Sequence, residues 1–249
     1  MRTIALVVEY DGTGYHGFQR QTSLPTIAGE LERALAAMCG HEVSVVAAGR
    51  TDAGVHATGQ VVSFETESDA RVERMPIALS SMLRDKRIAV VRAVERPAGF
   101  SARHDALART YLYRILIRVA PSPLHEHRAF FVRSRLDFDR MTAAAQRLVG
   151  EHDFTSFCAQ LPERGRPLRC IERIELARRD DFVELEITAD SFLHQMVRII
   201  AGTLVEVGRG KRPPPDVAVI LSACDRARAG VTAPAHGLYL TGVRYRDPL

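Results

Sequence analysis

The chain reads as α+β, built from two ferredoxin-like halves of order β-α-β-β-α-β, with adjoining antiparallel or mixed sheets and a central active-site cleft. Three observations predict this. Apolar segments of period two and segments of helical period follow one another in the same order twice. The length of 249 residues accommodates one large domain or two of ordinary size, and 46% hydrophobic residues support full cores. Between the two series lies Glu95 to Ala108, where Pro97, Gly99 and small or charged residues mark a connection. The expected domains are therefore 1–106 and 107–249. The halves share element order, with no residue-level repeat.

The elements follow in order. Thr3 to Tyr10 is a strand of β-branched and apolar residues. A turn-rich loop, Asp11 to Pro25, precedes a helix capped by Thr26 and ended by Gly40, with Ile27, Leu31, Leu35 and Met38 at helical spacing. Glu42 to Ala48 and Gln60 to Phe64 read as paired strands, Pro76 to about Arg84 as a short helix, and Ile88 to Val94 as a strand. The second half starts with a strand from Arg109 to Arg118, broken by Pro121 and Pro123, with a short extension at Phe130 to Val132. Asp137 caps a helix bearing Met141, Ala145 and Leu148. Cys170 to Arg178 and Phe182 to Ala189 form a hairpin across Asp180-Asp181. Ser191 to Gly208 reads as a long helix, a short helix runs to about Ala223, and Leu238 to Tyr245 closes the half as a strand.

The stretch with most chemical content is Ala47 to Phe64. Between its strands lies Gly49 to Gly59, eleven residues, mostly Gly, Ala, Thr and Val. Hairpin loops usually need two to five residues, so this length suggests a loop with a task. Small residues let a ligand approach the backbone. The loop holds Arg50 and Asp52, with His56 following. A carboxylate beside an arginine stays ionised, the state required of a nucleophile or general base. In an ordinary chain Arg-x-Asp is an ion pair tying a loop together; a long Gly-rich loop between apolar strands favours a site.

Other features are less specific. Net charge is +4 and the pI about 9.1, which leans toward a polyanionic partner. Thirty-two of the 34 basic residues are arginine, a bias that GC-rich coding explains at least as well as RNA binding. The cysteines, Cys39, Cys158, Cys170 and Cys224, show no zinc-ligand spacing and are expected as free thiols in a reducing, cytoplasmic setting. No apolar run approaches the ~20 residues of a membrane span. Tyr111 and Tyr113 alternate on a strand and face one way, placed to stack on a base or to pack on a helix. His194 and Arg198 are spaced to share a face of an apolar helix, where an arginine needs an anionic partner; Asp52 is available. Leu238 stands at a strand entrance after Gly237, a place that packing alone explains. Tyr15, Phe18 and Arg20 in the first loop, His56 after Asp52, and Arg164, Arg166 and Arg169 in a polar loop, are candidate RNA contacts.

The run GRTDAGVHATGQVVSF closely resembles the catalytic motif of tRNA pseudouridine synthases of the TruA family. VVEYDGTGYHGFQRQ, FSARHDALARTYLYRI, HDFTSFCA, FLHQMVRIIAG and APAHGLYL resemble the family's other motifs, in its order and at its spacing. The resemblance implies that Asp52 is the essential aspartate and that Arg50 helps expel the target nucleotide. It further implies that Tyr111 is the active-site tyrosine, that Arg198 pairs with the aspartate, and that Leu238 lies near the uracil pocket. Phe18 departs from the family, standing where many members have Trp. The family also implies a homodimer, no metal or organic cofactor, and a tRNA substrate modified at positions thirty-eight to forty of the anticodon arm. Asp52 would add to the uracil ring or assist departure at C1′, and the residues leave both open. A ferredoxin-like RNA-binding module without catalysis, or a glycosylase acting on the same bond, are the other readings.

Overall fold

Local sequence sets most element ends. The computed structural model describes residues 1–161 and 166–249. In chain order these form β1 (Arg2–Tyr10), α1 (Ile27–Cys39), β2 (Val46–Ala47), β3 (His56–Thr66), α2 (Met75–Met82) and β4 (Ile88–Arg96). There follow β5 (Ala108–Ile117), β6 (Phe130–Val132), α3 (Phe138–Ala145), β7 (Gly150–Asp153), β8 (Leu168–Arg179) and β9 (Phe182–Ala189). The chain ends with α4 (Met196–Gly208), α5 (Asp216–Ala223) and β10 (Leu238–Arg244). The Thr26 side chain accepts from the Gly29 amide at the start of α1, and Gly40 ends that helix with a left-handed φ of 79°. Asp137 caps α3 in the same way, accepting from the Arg140 amide.

The chain divides into two compact units, one of Met1–Arg109 with Tyr239–Leu249, the other Thr110–Leu238. In the first, strands lie in the order β4-β1-β3, with β1 antiparallel to both neighbours. The other edge of β3 is shared. β2 pairs antiparallel at Val62 and Ser63, and β10 pairs in parallel at His56 and Ala57. The last strand therefore belongs with the first unit, although its position in the element count had assigned it to the second half. Further bonds hold it there: the Leu107 amide donates to the Arg244 carbonyl, and the Tyr245 hydroxyl donates to that of Ala102 at 2.7 Å. Gly59 makes the pairing possible, since a Cβ at that position would lie 2.2 Å from the Thr241 carbonyl oxygen.

The strand expected over Glu42 to Ala48 shrinks to Val46–Ala47. The Glu32 carboxylate takes the Val45 amide at 3.2 Å, so that amide is spent on a helix side chain.

In the second unit the order is β5-β9-β8-β7, with β6 parallel to β5. The β8–β9 hairpin turns at Asp180, whose φ is 51°. Of the helix expected from Ser191, only Met196–Gly208 is α-helical. The Asp190 carboxylate accepts the Ser191 amide, and Gln195 takes a left-handed φ of 59°. His194 therefore precedes the helix and shares no face with Arg198.

Candidate active site

Each unit presents a set of buried motif residues. In the first unit the Asp52 loop runs from Ala48 to Val55, three residues shorter than the sequence suggested, because β3 already begins at His56. Asp52 is partly exposed and Arg50 exposed, while Thr51 between them is buried. The loop's carbonyls are tied down one after another. Arg109 donates to the Ala48 carbonyl from both Nε and Nη2, at 3.1 and 2.9 Å, and also to those of Ala106 and Arg103. The Phe18 amide donates to the Thr51 carbonyl at 3.0 Å, and the Val55 amide to that of Asp52 at 3.2 Å.

The first loop lies against the Asp52 loop because its glycines permit it. A Cβ on Gly12 would sit 2.0 Å from the Val55 carbonyl oxygen. One on Gly17, whose φ is 91°, would sit 2.9 Å from that of Thr51.

His56 and Phe18 were expected to meet RNA, and the structure places them otherwise. Both rings are 3% exposed. His56 stacks on Tyr239 at 4.7 Å, and its Nδ1 accepts the Gly12 amide with Asp11 3.2 Å away. Phe18 packs against Tyr10. Rings so enclosed offer no stacking face to a polynucleotide. Tyr15 is half-buried and donates to the Lys86 carbonyl, and Arg20 is exposed with an ion pair to Glu32. Arg166 is exposed, Arg169 donates to the Arg166 and Leu168 carbonyls, and Arg164 lies outside the described residues.

In the second unit Tyr111 and Tyr113 are buried on one face of β5, as the alternation required. Tyr111 meets Phe192 edge-on at 5.0 Å. Tyr113 donates to the Pro234 carbonyl at 2.7 Å. Burial holds its phenol well above the ordinary range, and the charge of Arg198 draws it partly back. Gly237 lies on the Tyr113 ring, where a Cβ would come within 2.8 Å. Leu238 is buried at the start of β10.

Arg198 is one of two residues of α4 that are not fully buried, Glu206 being the other. Its Nε donates to the Ala233 carbonyl at 2.9 Å, and its own carbonyl accepts the Ala233 amide at 3.1 Å. The helix thus holds a cationic head against the segment that leads into Pro234 and Gly237. Among the described residues no group of three or more metal-ligating side chains comes together, and no helix is long and apolar enough to cross a membrane. All four cysteines are free.

A model of one family, described as tRNA pseudouridine synthase, matches residues 6–105 and 144–246. The chain belongs to that family. A tRNA pseudouridine synthase A of Caulobacter vibrioides is 44% identical over 242 residues, covering 97% of this chain and 98% of the relative. One of Brucella ovis is 43% identical over 245 residues, covering 98% of each. Among solved structures, one in a crystal structure of a Cbf5-Nop10-Gar1 complex covers 97% of this chain at 12% identity with a TM-score of 0.39, too low to carry an inference. The matched residues include both the Asp52 loop and the Arg198 helix. Sequence reasoning passed over Arg109, although a basic residue opening the apolar run TYLYRILI was a signal that its head had work at the strand's entrance.

Proposed function

We propose that this chain isomerises uridine to pseudouridine in tRNA, at one or more of positions thirty-eight to forty of the anticodon arm. The N1–C1′ bond breaks, the uracil turns, and C5 joins C1′; C5 gives up its hydrogen to water and N1 takes up a proton. Nothing is consumed. Asp52 is the reacting carboxylate. Arg50 helps displace the target nucleotide, which must leave its stack at a cost of a few kcal/mol. Tyr111 supports the base, Arg198 supports the ionised carboxylate, and Leu238 belongs to the uracil pocket. The protein acts in the cytoplasm as a homodimer. The observation that carries this reading is the family match over residues 6–105 and 144–246, with the Arg50-Thr51-Asp52 run intact inside it.

The test is to incubate the purified chain, without added cofactor, with tRNA tritiated at uridine C5. Label released to water, with no free uracil and no abasic site, is the expected result. Free uracil identifies a glycosylase, and binding without release identifies a mere RNA-binding module; either removes the proposal.

Net charge of +4 points to binding through phosphates. If four phosphates are neutralised, affinity for tRNA falls roughly 100-fold between 50 and 200 mM salt. A filter-binding titration at several salt concentrations measures the slope, and a flat response contradicts phosphate-led binding.

A further inference from the structure

Gln60 is an amide fully enclosed in an apolar strand, with an exposure of 0%. A buried polar group left unpaired costs about 1–3 kcal/mol, so every atom of this amide should have a partner. Each does. Oε1 accepts the Val61 amide at 3.2 Å. Nε2 donates to the Gly49 carbonyl at 2.8 Å and to the Tyr10 hydroxyl at 3.4 Å. Turning the amide over would set its oxygen against the Gly49 carbonyl, two acceptors facing each other, so the orientation is fixed by chemistry.

That orientation directs the next link. The amide nitrogen only donates, so the Tyr10 oxygen accepts from it. Tyr10 in turn shares a hydrogen bond with Thr51 Oγ1, 2.8 Å away. Burial pushes the Tyr10 phenol up to about 12, so it keeps its proton through the neutral range. Hydrogen bonds therefore connect Gln60 through Tyr10 to Thr51, from the middle of β3 to the residue before Asp52. Gln60 also grips Gly49, on the other side of Arg50. One buried side chain thus holds the backbone on both sides of Arg50, directly at Gly49 and through Tyr10 at Thr51.

We propose that Gln60 and Tyr10 are positioning residues of the reaction, which hold the Gly49–Asp52 segment in the conformation that presents the Asp52 carboxylate. This rests on Asp52 as the reacting group. The reason to assign more than a stabilising role is economy of placement. Within its own strand the side chain takes only the Val61 amide. Its nitrogen reaches out of the strand to the Gly49 carbonyl and, through Tyr10, to the Thr51 hydroxyl, on either side of Arg50. Displacements of about 1 Å at a reacting group cost on the order of 100-fold in rate, so a loop rich in small residues requires such ties.

The test uses the full chain, tritium release from tRNA and thermal unfolding. Tyr10→Phe removes one oxygen and keeps the ring against Phe18. Thr51→Val removes the hydroxyl and keeps the shape, and Thr51→Ser keeps the hydroxyl. Tyr10→Phe and Thr51→Val are each expected to lower kcat about 10-fold, as for the loss of one buried hydrogen bond, with KM for tRNA unchanged. Thr51→Ser is expected to restore most of the rate. Gln60→Met, which removes both donors, is expected to show the larger loss, and the milder variants decide the matter if it fails to fold. A lowered Tm with kcat unchanged, measured well below that Tm, overturns the proposal, as does a rise in KM alone. If instead Asp52→Ala still releases label, it is the assignment of Asp52 that fails, and the two failures are told apart.

Discussion

Asp52→Asn is expected to abolish tritium release, by on the order of 10⁴-fold, while tRNA still binds with unchanged affinity. The substitution keeps the side chain's shape and removes only its charge. Several ties of the loop's backbone do not use that charge. The Asp52 carbonyl accepts the Val55 amide, Thr51 is held through its carbonyl and hydroxyl, and Ala48 is gripped by Arg109. Those ties remain in the variant, and thermal unfolding on the same preparation checks that it is folded in the assay. Asp52→Ala serves as a second variant that cannot revert to aspartate. The measurement pairs single-turnover release with a gel shift on the same tRNA. Equal loss of binding and turnover would mean that the carboxylate only shapes the RNA surface.

How far the sequence reaches is best judged from particular residues. The ends of α1 and α3 were legible because Thr26, Gly40 and Asp137 act on amides a few residues away. The Asp180 turn was legible because an Asp tolerates the left-handed φ of 51° that it takes there. Where distant groups compete, local pattern misled. The Glu32 carboxylate takes an amide from the strand expected before Ala48, and Asp190 delays the start of α4. The partner of β10 was hidden because Tyr239 and His56 are far apart in sequence, and no local pattern encodes a parallel pair. The motif residues announced themselves as unusual without revealing whether their side chains face outward. Phe18 and His56 looked like a ligand surface and prove to be core.

Gly202→Ala is the second substitution expected to act strongly, and its sign opposes ordinary helix chemistry. At an exposed helical site the exchange gains about 1 kcal/mol. Here the new Cβ would lie 1.8 Å from the Val231 carbonyl oxygen and 3.0 Å from its carbon. α4 is buried along nearly its whole length, so the 229–233 segment must yield. That segment is held to the helix by the Gly230 amide on Thr203 Oγ1 at 2.9 Å, and by the reciprocal bonds between Ala233 and Arg198. Overpacking of this kind costs about 1–3 kcal/mol, and each lost hydrogen bond adds about 1 kcal/mol. For a chain of this size the sum lowers Tm by roughly 5–15 °C. The effect on turnover is separate. Lifting Ala233 removes the carbonyl that fixes the Arg198 head, and the next residue, Pro234, carries the carbonyl to which Tyr113 donates. On the proposal that Arg198 supports the reacting carboxylate, kcat is expected to fall on the order of 100-fold at temperatures where the variant remains folded. Thermal unfolding and tritium release on the same preparation measure both effects. A variant with raised Tm and full turnover would show that the segment moves aside at no cost, and that Arg198 needs no anchor.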